Sequence, residues 1–130
     1  MVAENSVLDL KETYLHLTDG PEVIELPVTD TFWQELPTRD DLGGGRLVSA
    51  YVFTEDWGSW EMHPAGEEVV CMLSGAADMH LEEPAGVRVV ELRGSGAVIV
   101  PRGVWHTAKV HEPSHMLFIT RGEGTEIRPL

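Results

Sequence analysis

Glu61-Met62-His63-Pro64-Ala65-Gly66-Glu67-Glu68 is the stretch on which the reading of this chain turns, and Pro101-Arg102-Gly103-Val104-Trp105-His106 answers it about forty residues later. Each segment brings imidazole or carboxylate groups out of an apolar run. Strands that line one pocket from several directions produce this pattern. If the two segments converge, their side chains make a metal site.

Outward from these segments the chain reads as all-β. Runs rich in β-branched and apolar residues, Arg46 to Thr54, Glu67 to Leu73, Ala76 to Glu82, Val87 to Leu92, Ala97 to Val100, Thr107 to Val110 and Met116 to Thr120, are separated by Gly and Pro clusters. The turns Ser74-Gly75, Glu83-Pro84-Ala85-Gly86, Gly94-Ser95-Gly96 and Glu112-Pro113-Ser114 supply residues that tolerate tight or positive-φ geometry. Seven short strands predict a sandwich or barrel. A further strand over Glu22 to Val28 falls at a sheet edge, because Pro27 cannot donate to a ladder. Exposed edges invite pairing, which predicts a homodimer. One short helix is predicted near residues 30–36, where Asp30 and Thr31 can cap and Pro37 stops it, giving about two turns that pack Phe32 or Trp33 on the barrel.

Alternation assigns faces. If Glu68 points inward, Val70 and Met72 point in with it, while Glu67, Val69, Cys71 and Leu73 face the other way. In the next strand Ala77, Met79 and Leu81 share one side, and Asp78, His80 and Glu82 the other, which sends His80 to solvent. The same rule nominates Val70, Met72, Met79, Val98 and Met116 or Phe118 as pocket lining.

Composition narrows the class of protein. The 130 residues fit one domain, 1–130, with an N-terminal extension over 1–45 and a barrel core over about 46–120. Nine basic against 22 acidic residues give a net charge of -13, which repels phosphate backbones and anionic bilayers, so neither nucleic acid nor membrane is an expected partner. Cys71 is the only cysteine, which rules out an intramolecular disulfide and suits a reducing compartment. Met1 to Leu17 contains Glu4, Asp9, Lys11 and Glu12 without a continuous apolar stretch, so it reads as neither signal peptide nor membrane anchor. The expected location is cytoplasmic.

Glu61-x-His63, four residues, Glu68, six residues and Gly75 resemble the first motif of the cupin superfamily, and Pro101-x-Gly103-x-x-His106 resembles the second. The likeness spans residues from about 46 to 120 in the family's order. It implies a small single-domain cupin, a double-stranded β-helix or jelly-roll β-barrel. The chain departs from the family where Glu61 replaces the first histidine of His-x-His and Glu55 replaces the glycine before it. Ser95 stands for the opening glycine of the second motif and Val110 for its closing asparagine.

By that resemblance the metal ligands are His63, Glu68 and His106, with Glu61 in the fourth place as a ligand, as a catalytic base, or as the mark of a cupin that has lost its metal. Two imidazoles with one or two carboxylates suit divalent Fe, Mn, Ni or Zn. An added carboxylate favours a harder cation and disfavours copper. Two functions follow as expectations: an enzyme of oxygenase, isomerase or lyase type acting on a small molecule at a divalent ion, or a non-catalytic cupin that binds or senses a small ligand or metal. His16, His111 and His115 lie outside both motifs and are expected at the surface. Trp57, Trp60 and Trp105 are expected to pack at the barrel mouth, with Trp60 or Trp105 as the alternative apolar wall for a substrate, and Arg102 and Arg121 to form surface ion pairs or anchor an anion.

Overall fold

The computed structural model describes residues 7–130; the opening of the Met1–Leu17 segment, and with it Glu4, lies outside the described residues. Inward apolar positions at every second residue give eleven short strands among the described residues, paired antiparallel in two sheets. Sheet one holds, in spatial order, β2 (Val23–Pro27), β1 (Thr13–Leu17), β3 (Arg46–Phe53), β10 (Ser114–Thr120), β5 (Glu68–Ser74) and β8 (Ala97–Val100). Sheet two holds β11 (Glu126–Pro129), β4 (Ser59–Met62), β9 (His106–Val110), β6 (Ala76–Glu83) and β7 (Gly86–Arg93). All seven strands predicted from the barrel region are present with ends shifted by at most two residues, and β2 is an edge strand as Pro27 requires. Three strands were not foreseen: β1, β4 and β11.

The main core lies between the sheets, where Val70 and Met72 of β5, Met79 and Leu81 of β6, Val98 and Val100 of β8 and Met116 of β10 are almost wholly buried. Each such side chain contributes on the order of 1.5–3 kcal/mol relative to exposure. The alternation within β5 and β6 is as predicted, but most of the residues nominated as pocket lining fill this solid core instead. Alternation tells inward from outward; it does not tell packed from hollow.

Gly75 turns β5 into β6 at φ +107, and a side chain there would drive its Cβ to 2.5 Å from the Pro113 carbonyl oxygen and 2.6 Å from the Ser114 Cα. Only glycine fits that crossing. Ser114 closes it, accepting from the Ala76 N–H at 3.1 Å.

A second, smaller core joins the segment before β3 to the barrel. Tyr14, Leu26, Phe32 and Leu42 bury one another, with Phe32 edge-on to Tyr14 at 5.1 Å between ring centroids. The helix is shorter than predicted: α1 (Phe32–Glu35) makes one turn and passes at Pro37 into tighter turns that end at Leu42. Thr31 does not cap its backbone, because its hydroxyl donates to the Glu35 carboxylate. Phe32 is the ring that packs, and Trp33 stays largely exposed.

Candidate metal centre

The two motif segments meet at one end of the barrel. Glu61 in β4 lies directly across the ladder from His106, the first residue of β9, so both side chains leave the same face. His63 follows β4 at once, and its carbonyl accepts the N–H of Gly103 at 3.0 Å, which ties one motif to the other through backbone. Gly103 sits at φ +79, a conformation that selects glycine in the Pro-x-Gly turn. From the opposite sheet, Glu68 at the start of β5 points inward, and Glu67 is exposed as its neighbour's orientation demands.

His106, Glu68 and His63 are 0%, 3% and 7% exposed. The Glu68 carboxylate is wedged between the two rings, with Oε1 at 3.1 Å from His106 Nε2 and Oε2 at 3.3 Å from His63 Nε2. Glu61 stands at the cavity side, its Oε2 at 4.0 Å from His63 Nε2, and ligand atoms of Glu61, His63 and His106 all lie within 4.8 Å of one another. Glu68 therefore shares both histidines with Glu61, and the four predicted residues form one cluster. His16, His80, His111 and His115 stand outside it.

The outer hydrogen bonds fix which nitrogen of each ring faces the cluster. His106 Nδ1 is 3.0 Å from the Val104 carbonyl, which can only accept, so Nδ1 carries the proton and Nε2 turns its lone pair inward. Thr125 Oγ1 donates to the Gly122 carbonyl at 2.7 Å, so at 2.8 Å from His63 Nδ1 it accepts, with the same result. His63 Nε2, His106 Nε2 and Glu68 Oε1 are all buried without a hydrogen-bond partner among the described residues. Three acceptors converge with no donor between them. Uncompensated, such burial costs several kcal/mol, about 1–3 for each group; a proton or a cation removes that cost. The donor set of two imidazoles and carboxylate oxygens fits a divalent transition ion.

Charge follows the same logic. Burial pushes Glu68 up, but the imidazoles of His106 and then His63 outweigh it and hold the carboxyl at about 2. Burial pushes His106 down, and Glu68 beside it more than compensates, so its pKa is raised. Glu61 is raised by burial first and by the Glu68 charge second. Thr120 Oγ1 donates to Glu68 Oε2 at 2.5 Å and orients the carboxylate.

Sequence reading gave no sign of Thr120 or Thr125, whose roles depend on a tertiary contact that no motif encodes.

The cluster opens into a cavity of about 1120 Å³ that includes Glu61, His63, Glu68 and Thr125 in its wall. Of the lining nominated from alternation only Phe118 is there; the rest of the apolar wall comes from β3, from Trp57, from Ile127 and from the segment before β3, Tyr14, Leu36 and Leu42 among them. Trp57 is thus a wall residue, and its ring stands 6.1 Å from that of His106. Trp60 and Trp105 instead sandwich the Arg128 guanidinium at 5.2 and 4.6 Å. His111 is exposed and paired with Asp78, as expected of a surface histidine. Two histidines depart from that expectation: His16 is only 6% exposed, because β1 joins the sheet, and His115 is half-buried with Nε2 covered. His80 lies on the outer face yet is half-buried between β7 and β9. Arg121 lies within ion-pair distance of Glu123 and Asp19, and Arg102 is exposed.

No protein-family description matches the sequence, and no curated protein matches it. Solved structures do. A cupin-2 domain protein from Shewanella frigidimarina superposes with a TM-score of 0.51 at 16% identity, over 58% of this chain and 69% of that one. An oxalate oxidase in complex with the substrate analogue glycolate gives 0.54 at 13%, over 62% of this chain and 45% of that one. Hydroquinone 1,2-dioxygenase from Sphingomonas sp. TTNP3, with 4-hydroxybenzoate bound, gives 0.51 at 19%, over 59% and 60%. The match thus spans less than half of the oxidase. The chain has the cupin fold, as the two motifs implied. No helix among the described residues is long and apolar enough to cross a membrane.

Proposed function

We propose that this protein holds a divalent transition-metal ion through His63, Glu68 and His106, with Glu61 as the fourth group, and acts on a small molecule bound in the adjoining cavity. The observation that carries the reading is the convergence of three buried acceptor atoms, two of them nitrogens of imidazoles whose tautomer is fixed from outside. Second-contact hydrogen bonds of this kind are what metal-ligating histidines need. When bound, such an ion supplies Lewis-acid polarisation of a substrate oxygen or a binding place for dioxygen. Glu61, nearest the cavity and with a raised pKa, is placed to hold or pass a proton at its carboxyl oxygen. The solved structures this chain resembles include an oxidase, a dioxygenase and an oxalate decarboxylase, which supports oxygenase-type or lyase-type chemistry alike.

A homodimer belongs to the same proposal. β2 leaves an open edge, and the outer face of its sheet exposes Val52, Leu73 and Ile99. A cytoplasmic setting suits the unpaired Cys71.

The test is metal analysis of purified protein, before and after reconstitution with Fe, Mn, Ni and Zn, beside Glu68→Ala and His106→Ala. Near-stoichiometric metal in the wild type and its loss in both variants is the expected result. A wild type that takes up none of the four ions ends the metal reading; metal without turnover of phenols, keto acids, thiols or sugars makes the protein a binding module.

A further inference from the structure

The register of sheet one lays a row of side chains across the cavity face. His16 of β1 pairs with Leu47 of β3, Leu47 pairs with Thr120 of β10, and Val69↔Ile119 brings Glu68 of β5 alongside Thr120. At roughly 4.8 Å between neighbouring strands, three steps separate the His16 and Glu68 backbones by about 14 Å. All four residues line the cavity. The imidazole of His16 is more than nine-tenths buried, and no hydrogen bond to a described residue engages it. Gly45, at φ +66, leaves the room its ring needs, since a Cβ there would stand 2.9 Å from His16 Nε2.

Between the ends of that row the wall is aromatic and its charge one-sided. Tyr51, Phe53, Trp57 and Phe118 form a continuous surface with ring centroids 4.7 to 6.0 Å apart. Asp40, Glu61, Glu68 and Glu123 line the cavity against a single cationic side chain, Arg39, which is committed to Asp41 by two hydrogen bonds of 2.8 and 2.6 Å. Between the two ends of the row no free cationic side chain among the described residues compensates an anionic ligand.

We propose that the cavity takes an uncharged, elongated aromatic molecule, with one end at the His63–Glu68–His106 cluster, its rings on the Tyr51–Phe53–Trp57–Phe118 wall, and a polar group at its far end hydrogen-bonded to His16. His16 is then the specificity-determining residue for length and far-end polarity. The orientation of the near end rests on the metal-centre reading; the wall and His16 do not.

The test is calorimetric titration of the full chain, chelator-treated and metal-loaded, with para-phenylphenol and para,para′-dihydroxybiphenyl, which differ by one far-end hydroxyl. Wild type binds the diol roughly three- to tenfold more tightly, the worth of one hydrogen bond. His16→Leu removes that difference and leaves para-phenylphenol binding within about twofold, whereas His16→Gln, which still hydrogen-bonds, keeps part of it. If His16→Leu does not fold, His16→Phe, which keeps a ring, gives the same reading. Equal binding of the two probes by wild type, a difference that survives in the apolar variant, or tighter binding of biphenyl-para,para′-dicarboxylate than of the diol by chelator-treated protein would each overturn the proposal. Failure of the loaded sample to hold any metal would sink the metal centre and leave the probe comparison intact.

Discussion

Thr125 and the Val104 carbonyl decide what the two histidines can do. Each occupies the Nδ1 side of a ring and leaves Nε2 to the cluster. Thr125→Val removes the acceptor at nearly constant volume, and metal affinity should fall about ten- to hundredfold, read by chelator competition, with Thr125→Ser retaining most of it. The pH response of the metal-free protein follows from two shifts of opposite sign. Glu68, held at about 2 from an ordinary 4.5, contributes stability that is present above pH 4.5 and lost as pH falls toward 2. His106, raised from 6.5, contributes stability that is present below pH 6.5 and lost as pH rises through its folded value. Metal-free protein should therefore resist denaturant best between about pH 4.5 and 6.5, and melts at pH 3, 5.5 and 8 would show it; a midpoint that climbs steadily from 5.5 to 8 would contradict the pairing. Metal affinity should fall on acidification over the same range, because protons compete for Nε2.

At the scale of the element, one side chain reinforces the backbone pairing of β11 with β4. Arg128 lies between Trp60 and Trp105 and reaches Glu82 of β6 at 2.7 Å, so it clamps the edge of sheet two. Arg128→Ala should cost about 1 kcal/mol from the lost ring contacts and speed hydrogen exchange in β11 before β9. This strand and β4 also show where sequence reading failed. β4 is Ser59-Trp60-Glu61-Met62, and its two cavity-facing positions, Ser59 and Glu61, are polar, which reverses the apolar-in pattern. β11 is short, charged and ends in Pro129, so it carries no strand signal of its own and exists through its pairing with β4. β1 alternates correctly, with Tyr14 and His16 inward, but five residues with an inward histidine are too few to stand out. The strands that carry ordinary core residues, β5 through β10, were legible almost to the residue. So were all four members of the cluster, since motif spacing and turn glycines are local signals; the cavity walls were not, because they depend on which strands become neighbours.

Over the whole molecule, the packed core and the cavity occupy different halves. The core around Met72, Met79 and Met116 is solid, and Met79→Ala should lower stability by about 2–5 kcal/mol in denaturant melts while leaving metal content unchanged. The hollow half is closed by the segment before β3, whose Tyr14 and Leu42 belong to the second core and to the cavity wall alike. The cluster between these halves draws Glu68 from one sheet and Glu61 and His106 from the other. An ion seated there is a rivet through both layers of the sandwich, and parting the layers would mean breaking its bonds first. Heat tolerance then reports occupancy: at a hundred times its dissociation constant the ion adds about 2.7 kcal/mol to the folded state.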